Sequence, residues 1–275
     1  MSFAIRSARR DGAPTRRAAS ANRSFFAMSC DVSLIAREQK ALIERALASR
    51  STRRDADADA DAETSASLAP FARSSPTRLP YAFAAARLTS SDVLYDFGCG
   101  DGAVVIEAAR RFGCACVGLE LDEALVARAE ADARERNVSH LCEFLIYDIA
   151  QIEAKDLDRG CASTRALAPT VVFLWLTGGG LAKLSPKLMD VYANAATPFR
   201  IITCVDALDS ACDFVRDGAF ASPTEEQKQW RVVRGAYAKY GVFVVPPRTI
   251  SLAEWARGDA IDDDHDFTRS SPEST

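Results

Sequence analysis

The chain has 275 residues, 48% of them apolar, with a net charge of −4. That length accommodates one large domain or two small ones and a sizeable buried core. The acidic balance gives no reason to expect nucleic acid as an electrostatically driven partner, and no apolar run approaches the ~20 residues needed to span a bilayer.

In residues 1–30, Arg6, Arg9, Arg10, Arg16, Arg17 and Arg23 face the single acid Asp11 across many Ala and Ser. This composition predicts a transit segment. The address expected is mitochondrial, with chloroplast as the second reading; a start at Met28 would instead leave the protein cytoplasmic. Residues 31–50 suit a helix with an apolar stripe of Leu34, Ile35, Leu42, Ile43, Ala46 and Leu47. Residues 51–79, with alternating Asp and Ala from Asp55 to Glu63 and then Ser and Pro, are expected to be a solvated linker. The folded domain is placed at 80–250, and 251–275 is expected to be an acidic, largely disordered tail.

A short helix, Tyr81 to Leu88, leads into a strand, Asp92 to Phe97, which runs straight into Gly98-Cys99-Gly100-Asp101-Gly102. Alternate glycines permit backbone angles closed to other residues and let a ligand lie on the peptide groups. The next helix carries Val104, Val105, Ala108, Ala109 and Phe112 on one face, so its N-terminus, with free N–H groups, points at whatever sits over the turn. A second strand, Cys114 to Leu121, places Glu120 22 positions after Gly98. That is about where a nucleotide-binding βαβ unit presents an acid to a ribose diol.

The ligand is a dinucleotide or S-adenosylmethionine. The dinucleotide fingerprint would put its third glycine at Ala103, a weaker match. Asp96, at the end of the first strand, would repel a pyrophosphate but suits a cationic ligand end. S-adenosylmethionine has an ammonium, a sulfonium, a carboxylate and a ribose diol, which match an acid before the turn, a helix N-terminus after it and an acid at the next strand end. No Gly-Lys-Ser/Thr follows, so a P-loop is excluded.

Farther along, Glu123 to Arg136 is a helix with Leu125, Ala129 and Ala133 inward and Glu130–Arg134 and Asp132–Arg136 spaced as ion pairs. Leu141 to Tyr147 is a third strand, Ala150 to Leu157 a short helix, and Thr170 to Leu176 a buried fourth strand. Thr177 and Gly178 to Gly180 open a helix over Leu181 to Ala195. Since ligands of this architecture lie over the carboxyl ends of strands, Trp175 to Gly180 should border the reacting group. Phe199 to Cys204 is a fifth strand, and Asp206 to Gln227 an excursion over the site. Trp230 to Tyr237 and Lys239 to Val245 are the last two strands, paired as an antiparallel edge. Cys99, Cys114, Cys116, Cys142 and Cys204 are taken as reduced, mostly buried thiols; Cys114 and Cys116 are expected to point apart, which counts against a metal pair. Two histidines, His140 and His265, leave little for a zinc site or a Ser-His triad.

DFGCGDG with GLELD resembles the first two cofactor motifs of the seven-stranded, Rossmann-like (class I) S-adenosylmethionine-dependent methyltransferase superfamily, over roughly Ser91 to Ile149. The resemblance implies an α/β fold with a doubly wound, mostly parallel seven-stranded sheet and an antiparallel edge. It places Asp96 near the methionine end, Glu120 on the ribose hydroxyls and Asp148 at the adenine amino group. Gly98, Gly100, Asp101, Gly102 and Leu121 complete the candidate cofactor residues. For Asp148 alone, a solvated helix cap is the competing reading. The fourth-strand region lacks the polar Asn or Asp with prolines of several planar-amine methyltransferases. LWLTGGGLAKLSPKL resembles instead, more weakly, the family that methylates a lysine of the ATP synthase c-subunit or of the adenine nucleotide translocase. That likeness implies a protein lysine as acceptor and needs no catalytic base, with Tyr81 and Trp175 as possible aromatic lining or plain core. A small-molecule methyltransferase and a silent S-adenosylmethionine-binding module are the alternatives.

Overall fold

The computed structural model describes residues 74–161, 167–210, 225 and 227–259. The segments expected at 1–30 and 31–50, most of 51–79 and most of 251–275 lie outside them. Helix α1 (Leu79–Ala86) precedes β1 (Val93–Phe97), α2 (Ala103–Phe112), β2 (Ala115–Glu120), α3 (Glu123–Glu135) and β3 (Cys142–Ile146). A 3-10 turn (Ile149–Gln151), α4 (Ala154–Asp158), β4 (Val171–Leu174), α5 (Gly178–Asn194), β5 (Arg200–Cys204), β6 (Val242–Val245) and α6 (Leu252–Asp259) follow.

The strands form one sheet in the order β3-β2-β1-β4-β5-β6. All neighbours are parallel except β5 and β6. Alternation along the strands sends side chains to two cores. Leu94, Cys116, Phe173 and Ile202 pack with α1, α2, α3 and Trp255 of α6 on one face. Tyr95, Phe97, Val117, Leu174 and Ile201 pack with α4 and α5 on the other. The expected doubly wound α/β fold is therefore observed. The strand order reverses between β1 and β4, and sheets of this kind take their ligands at the carboxyl ends beside such a point.

The opposite ends of β1, β4 and β5 are fastened by a buried ion pair, Arg200 to Asp92 at 2.9 Å. The same guanidinium donates to the carbonyls of Ala86, Arg87 and Thr170, and Thr170 donates its hydroxyl to Asp92 at 2.7 Å. These bonds hold the Asp92 carboxyl below its ordinary value, against the opposing effect of burial.

Several elements differ from expectation. The sheet has six strands among the described residues, because the strand expected from Trp230 to Tyr237 is reduced to one antiparallel bridge, Val233 with Val244. Tertiary anchors override its alternation. Trp230 donates its indole N–H to Ser185 Oγ at 2.7 Å, Arg234 grips both oxygens of Asp209 at 2.6 Å, and a 3-10 turn at Ala238–Tyr240 takes up the start of the other expected strand. In α3 the inward face is Val126, Ala129 and Ala133, and Leu125 is one position out of phase. The Glu130–Arg134 pair forms at 3.5 Å; Arg136 is the helix C-cap and meets Asp132 through its backbone N–H, which donates to the Asp132 carbonyl at 3.1 Å. Cys114 and Cys116 do not point apart: residues two positions apart share a face of an extended chain, and their Sγ atoms lie 3.6 Å from each other. Both are buried free thiols. The fold continues past 250, since α6 buries Trp255, whose ring lies under the Arg87 guanidinium at 4.1 Å. No helix among the described residues is long and apolar enough to cross a membrane.

Candidate functional site

The turn after β1 has Gly98, Gly100 and Gly102 at φ +80°, +54° and +75°, angles that side-chain-bearing residues rarely adopt. Gly98 and Cys99 donate to the Leu119 carbonyl at 2.8 and 3.0 Å, pinning the turn to β2. Gly102 is also sterically required: a Cβ there would meet Phe144 at 2.7 Å and Ala129 at 2.8 Å, so it lets α2 seat against α3 and β3. As the N-cap of α2 it supplies no side-chain acceptor, which leaves the first-turn N–H groups of the helix without a capping side chain.

Three acids surround this turn. Asp96 is buried at the end of β1, and burial, then Glu120 and Asp101, push its carboxyl well above the ordinary value of 3.8. Glu120, at the end of β2, accepts from Gly100 N–H through Oε2 at 2.9 Å and from Leu121 and Asp122 N–H through Oε1 at 2.8 and 3.1 Å. Asp101 is buried, with the Arg128 guanidinium 3.8 Å away. Asp122, just beyond, caps α3 through Ala124 N–H at 2.8 Å.

Leu121 and Asp148 stand at the next strand ends. Asp148 Oδ1 caps the 3-10 turn through Ala150 N–H at 2.9 Å, so the capping role is present. Between them lies Ile146, 56% exposed, beside Leu121, 44% exposed. Two bare aliphatic side chains at neighbouring strand ends, next to a carboxylate, form a surface suited to a heterocyclic base. Ile146 was not singled out from the sequence; its register opposite Glu120 is the signal that would have found it.

On the β4–β5 side, Thr177 caps α5 through Gly180 N–H at 3.2 Å, so the three glycines form the first helical turn instead of preceding it. Half-buried Trp175 carries the Arg78 guanidinium at 5.3 Å from its ring centroid, and Tyr81 stacks on Tyr240 at 3.9 Å. Both aromatic surfaces are thus engaged within the fold. Asp206, also missed in the sequence, is half-buried just beyond the end of β5, and burial pushes its carboxyl up. A cavity of about 350 Å³ between α1, α2 and α3 touches the glycine turn only at Asp101 and Ala103 and is a separate feature. Among the described residues no cluster of His, Cys, Asp and Glu is arranged to hold a metal ion.

Residues 94–167 match the family model described as a methyltransferase domain. This segment is a Rossmann-like, S-adenosylmethionine-dependent methyltransferase domain. Its residues fit that cofactor: a buried acid with two acidic neighbours asks for a cationic group, and the uncapped N-terminus of α2 suits a carboxylate. A protein-lysine N-methyltransferase of Saccharolobus islandicus (strain REY15A) is 26% identical over 104 residues, 38% of this chain. The match spans 57% of that relative's length. An RNA methyltransferase from Salinibacter ruber, solved with S-adenosyl-L-homocysteine, aligns with a TM-score of 0.44 and 26% identity over 66% of this chain and 97% of that one. A methyltransferase from Thiobacillus denitrificans, with the same ligand, gives a TM-score of 0.38 and 20% identity over 47% and 48% of the two chains.

Proposed function

We propose that the protein transfers a methyl group from S-adenosylmethionine to a lysine amine of a protein. The observation that carries the cofactor half is the glycine turn set between Asp96 and Glu120. The acceptor half is supported by the archaeal relative that is a protein-lysine N-methyltransferase.

The cofactor supplies a sulfonium-activated methyl group. Asp96 faces its cationic methionine end, and the N–H groups opening α2 face its carboxylate. Glu120 takes the ribose hydroxyls, which requires it to share or exchange its bond to Gly100 N–H. Leu121 and Ile146 flank the adenine, and Asp148, with Oδ1 at Ala150, meets the amino group through its other oxygen. Trp175 to Gly180 border the acceptor, and the protein's main task there is to hold a neutral amine in line. A lysine amine, ordinarily of pKa about 10.4, loses its proton more readily in a desolvated channel beside a positive charge. The arginine-rich segment 1–30 supports a mitochondrial address for this activity.

Incubation with methyl-labelled S-adenosylmethionine and organelle extract, followed by mass spectrometry of labelled species, tests the reading. A protein band with methylated lysine is expected. Label confined to a small metabolite or to hydroxyl groups would refute the lysine acceptor and leave the cofactor site standing.

A further inference from the structure

We propose that Cys114 and Cys116 form a reversible oxidation site, a dithiol that hydrogen peroxide converts to a disulfide within one stretch of chain. Their Sγ atoms lie 3.6 Å apart, and both are buried, reduced cysteines. Contact between two sulfurs is the geometric condition for such a bond, and the local structure supplies it.

Cys116 is the second residue of β2 and is fixed by the sheet, opposite Leu94 on one side and Cys142 on the other. Cys114 precedes the strand, whose pairing with β1 begins at Ala115, so it can move without breaking that ladder. It follows Gly113, the C-cap of α2 at φ +66°. Two extended residues span about 6.4–6.8 Å between Cα atoms, at the upper edge of the about 4.4–6.8 Å that a disulfide bridges, so a small adjustment at Gly113 and Cys114 suffices. The same turn offers a way in. Gly113 is exposed, and a Cβ built on it would meet nothing within 4 Å, so Cys114 lies one residue beneath an open surface turn. Displacement of that turn admits a small neutral peroxide.

The two thiols are also unequal. Cys114 donates to the Ala108 carbonyl at 3.8 Å and accepts from the Cys116 S–H, so the two S–H groups run in sequence. The bond from Cys116 holds the Cys114 thiol below its ordinary value, against the opposing effect of burial, while the same contact and burial push Cys116 up. Cys114 is therefore the sulfur that ionises and attacks, and Cys116 the one that resolves. In the first step the Cys114 thiolate forms an S–O bond to peroxide, the O–O bond breaks, and hydroxide leaves and takes the thiol's proton as water. In the second, Cys116 loses its proton and attacks the sulfenic sulfur; an S–S bond forms, the S–O bond breaks, and a second water leaves. Two thiols are oxidised by two electrons, and one hydrogen peroxide is reduced to two waters.

Peptide mapping of the peroxide-treated full chain tests the assignment. Trypsin leaves Cys114 and Cys116 together in residues 112–128, with Cys142 in another peptide and Cys161 alone in residues 160–165. After peroxide is removed, the remaining thiols are alkylated in urea and the peptides weighed. Residues 112–128 should appear unalkylated and lighter by two hydrogens, and dithiothreitol should return them to two alkylatable thiols. This change should run about tenfold or more ahead of oxidation of Cys161, tenfold being the ratio that one pKa unit makes in thiolate fraction. Cys161 is the internal reference because burial pushes its thiol up to about 12. In Cys116→Ser, which cannot close the bridge, dimedone should trap a sulfenic acid on Cys114. Two alkylated thiols in residues 112–128 after Cys161 has reacted, or a cross-link from this peptide to the one carrying Cys142, would overturn the proposal. Both readings are made on the wild type and stand whether or not the variant folds. Absence of a dimedone adduct in a folded Cys116→Ser would overturn Cys114 as the attacking sulfur.

Discussion

Asp96 shows most directly how one residue trades stability for binding. Its carboxyl is buried and raised by burial and by two neighbouring acids, so its charged form opposes folding at neutral pH. The folded state binds the proton more tightly than the unfolded chain, so this cost is absent below the unfolded value of about 3.8, grows as pH rises toward the folded value and is full above it. Asp96→Asn should therefore melt at a higher temperature at neutral pH, with the gain shrinking as the solution is acidified, and should bind S-adenosylmethionine more weakly. Thermal melts across pH check the first half. A variant less stable than wild type at pH 7 would show that Asp96 is a structural acid. Its spacing from the glycines was legible in the sequence, as was that of Glu120. The place of Ile146 was not, because it is defined by its register opposite Glu120 on the neighbouring strand instead of by its own motif.

At the scale of elements, the βαβ unit was legible almost to the residue because local signals agree: a buried strand, a glycine turn, an amphipathic helix with glycines at φ +75° and +66° at its two ends. The stretch from Trp230 to Tyr237 failed as a strand for the opposite reason. Its pattern suits a sheet, but Trp230 and Arg234 are drawn to Ser185 and Asp209, contacts 45 and 25 residues away that no local window contains. Cys114 and Cys116 were misplaced by a misapplied period: side chains two apart on a strand share a face. Gly118 on β2 is a packing requirement rather than a flexible point, since a Cβ there would lie 2.6 Å from Cys99 Sγ and 2.7 Å from Phe144. Gly118→Ala should cost about 1–3 kcal/mol by overpacking and displace the glycine turn, lowering cofactor affinity as well. Urea unfolding measures the cost, and an unchanged midpoint would mean that Cys99 and Phe144 yield freely. Removing Arg200 is predicted to be harsher, about 3–5 kcal/mol, because it strands the buried Asp92 charge and frees three carbonyls.

Across the whole molecule, function is concentrated at one edge of the sheet and stability at the other. The Asp92–Arg200–Thr170 network closes the amino ends of β1, β4 and β5, and the acids Asp96, Glu120 and Asp206 gather at the carboxyl ends. That division lets the acidic edge tolerate unfavourable charge. The arginine-rich segment at 1–30 is proposed as an import signal outside this design. A chain begun at Met28 should bind S-adenosylmethionine as tightly as the full chain, and a fluorescent reporter bearing residues 1–30 should enter mitochondria. A reporter left in the cytosol would defeat the address, and a shortened chain that fails to bind would place the basic segment in the fold. The central claim is that the acid-flanked glycine turn is an S-adenosylmethionine site, and calorimetric titration tests it most directly. The wild type should bind S-adenosylmethionine and not NAD, and Glu120→Ala should lose roughly 1.5–3 kcal/mol, the range for hydrogen bonds to a charged group. Binding of NAD instead, or an affinity for S-adenosylmethionine untouched by Glu120→Ala, would contradict it.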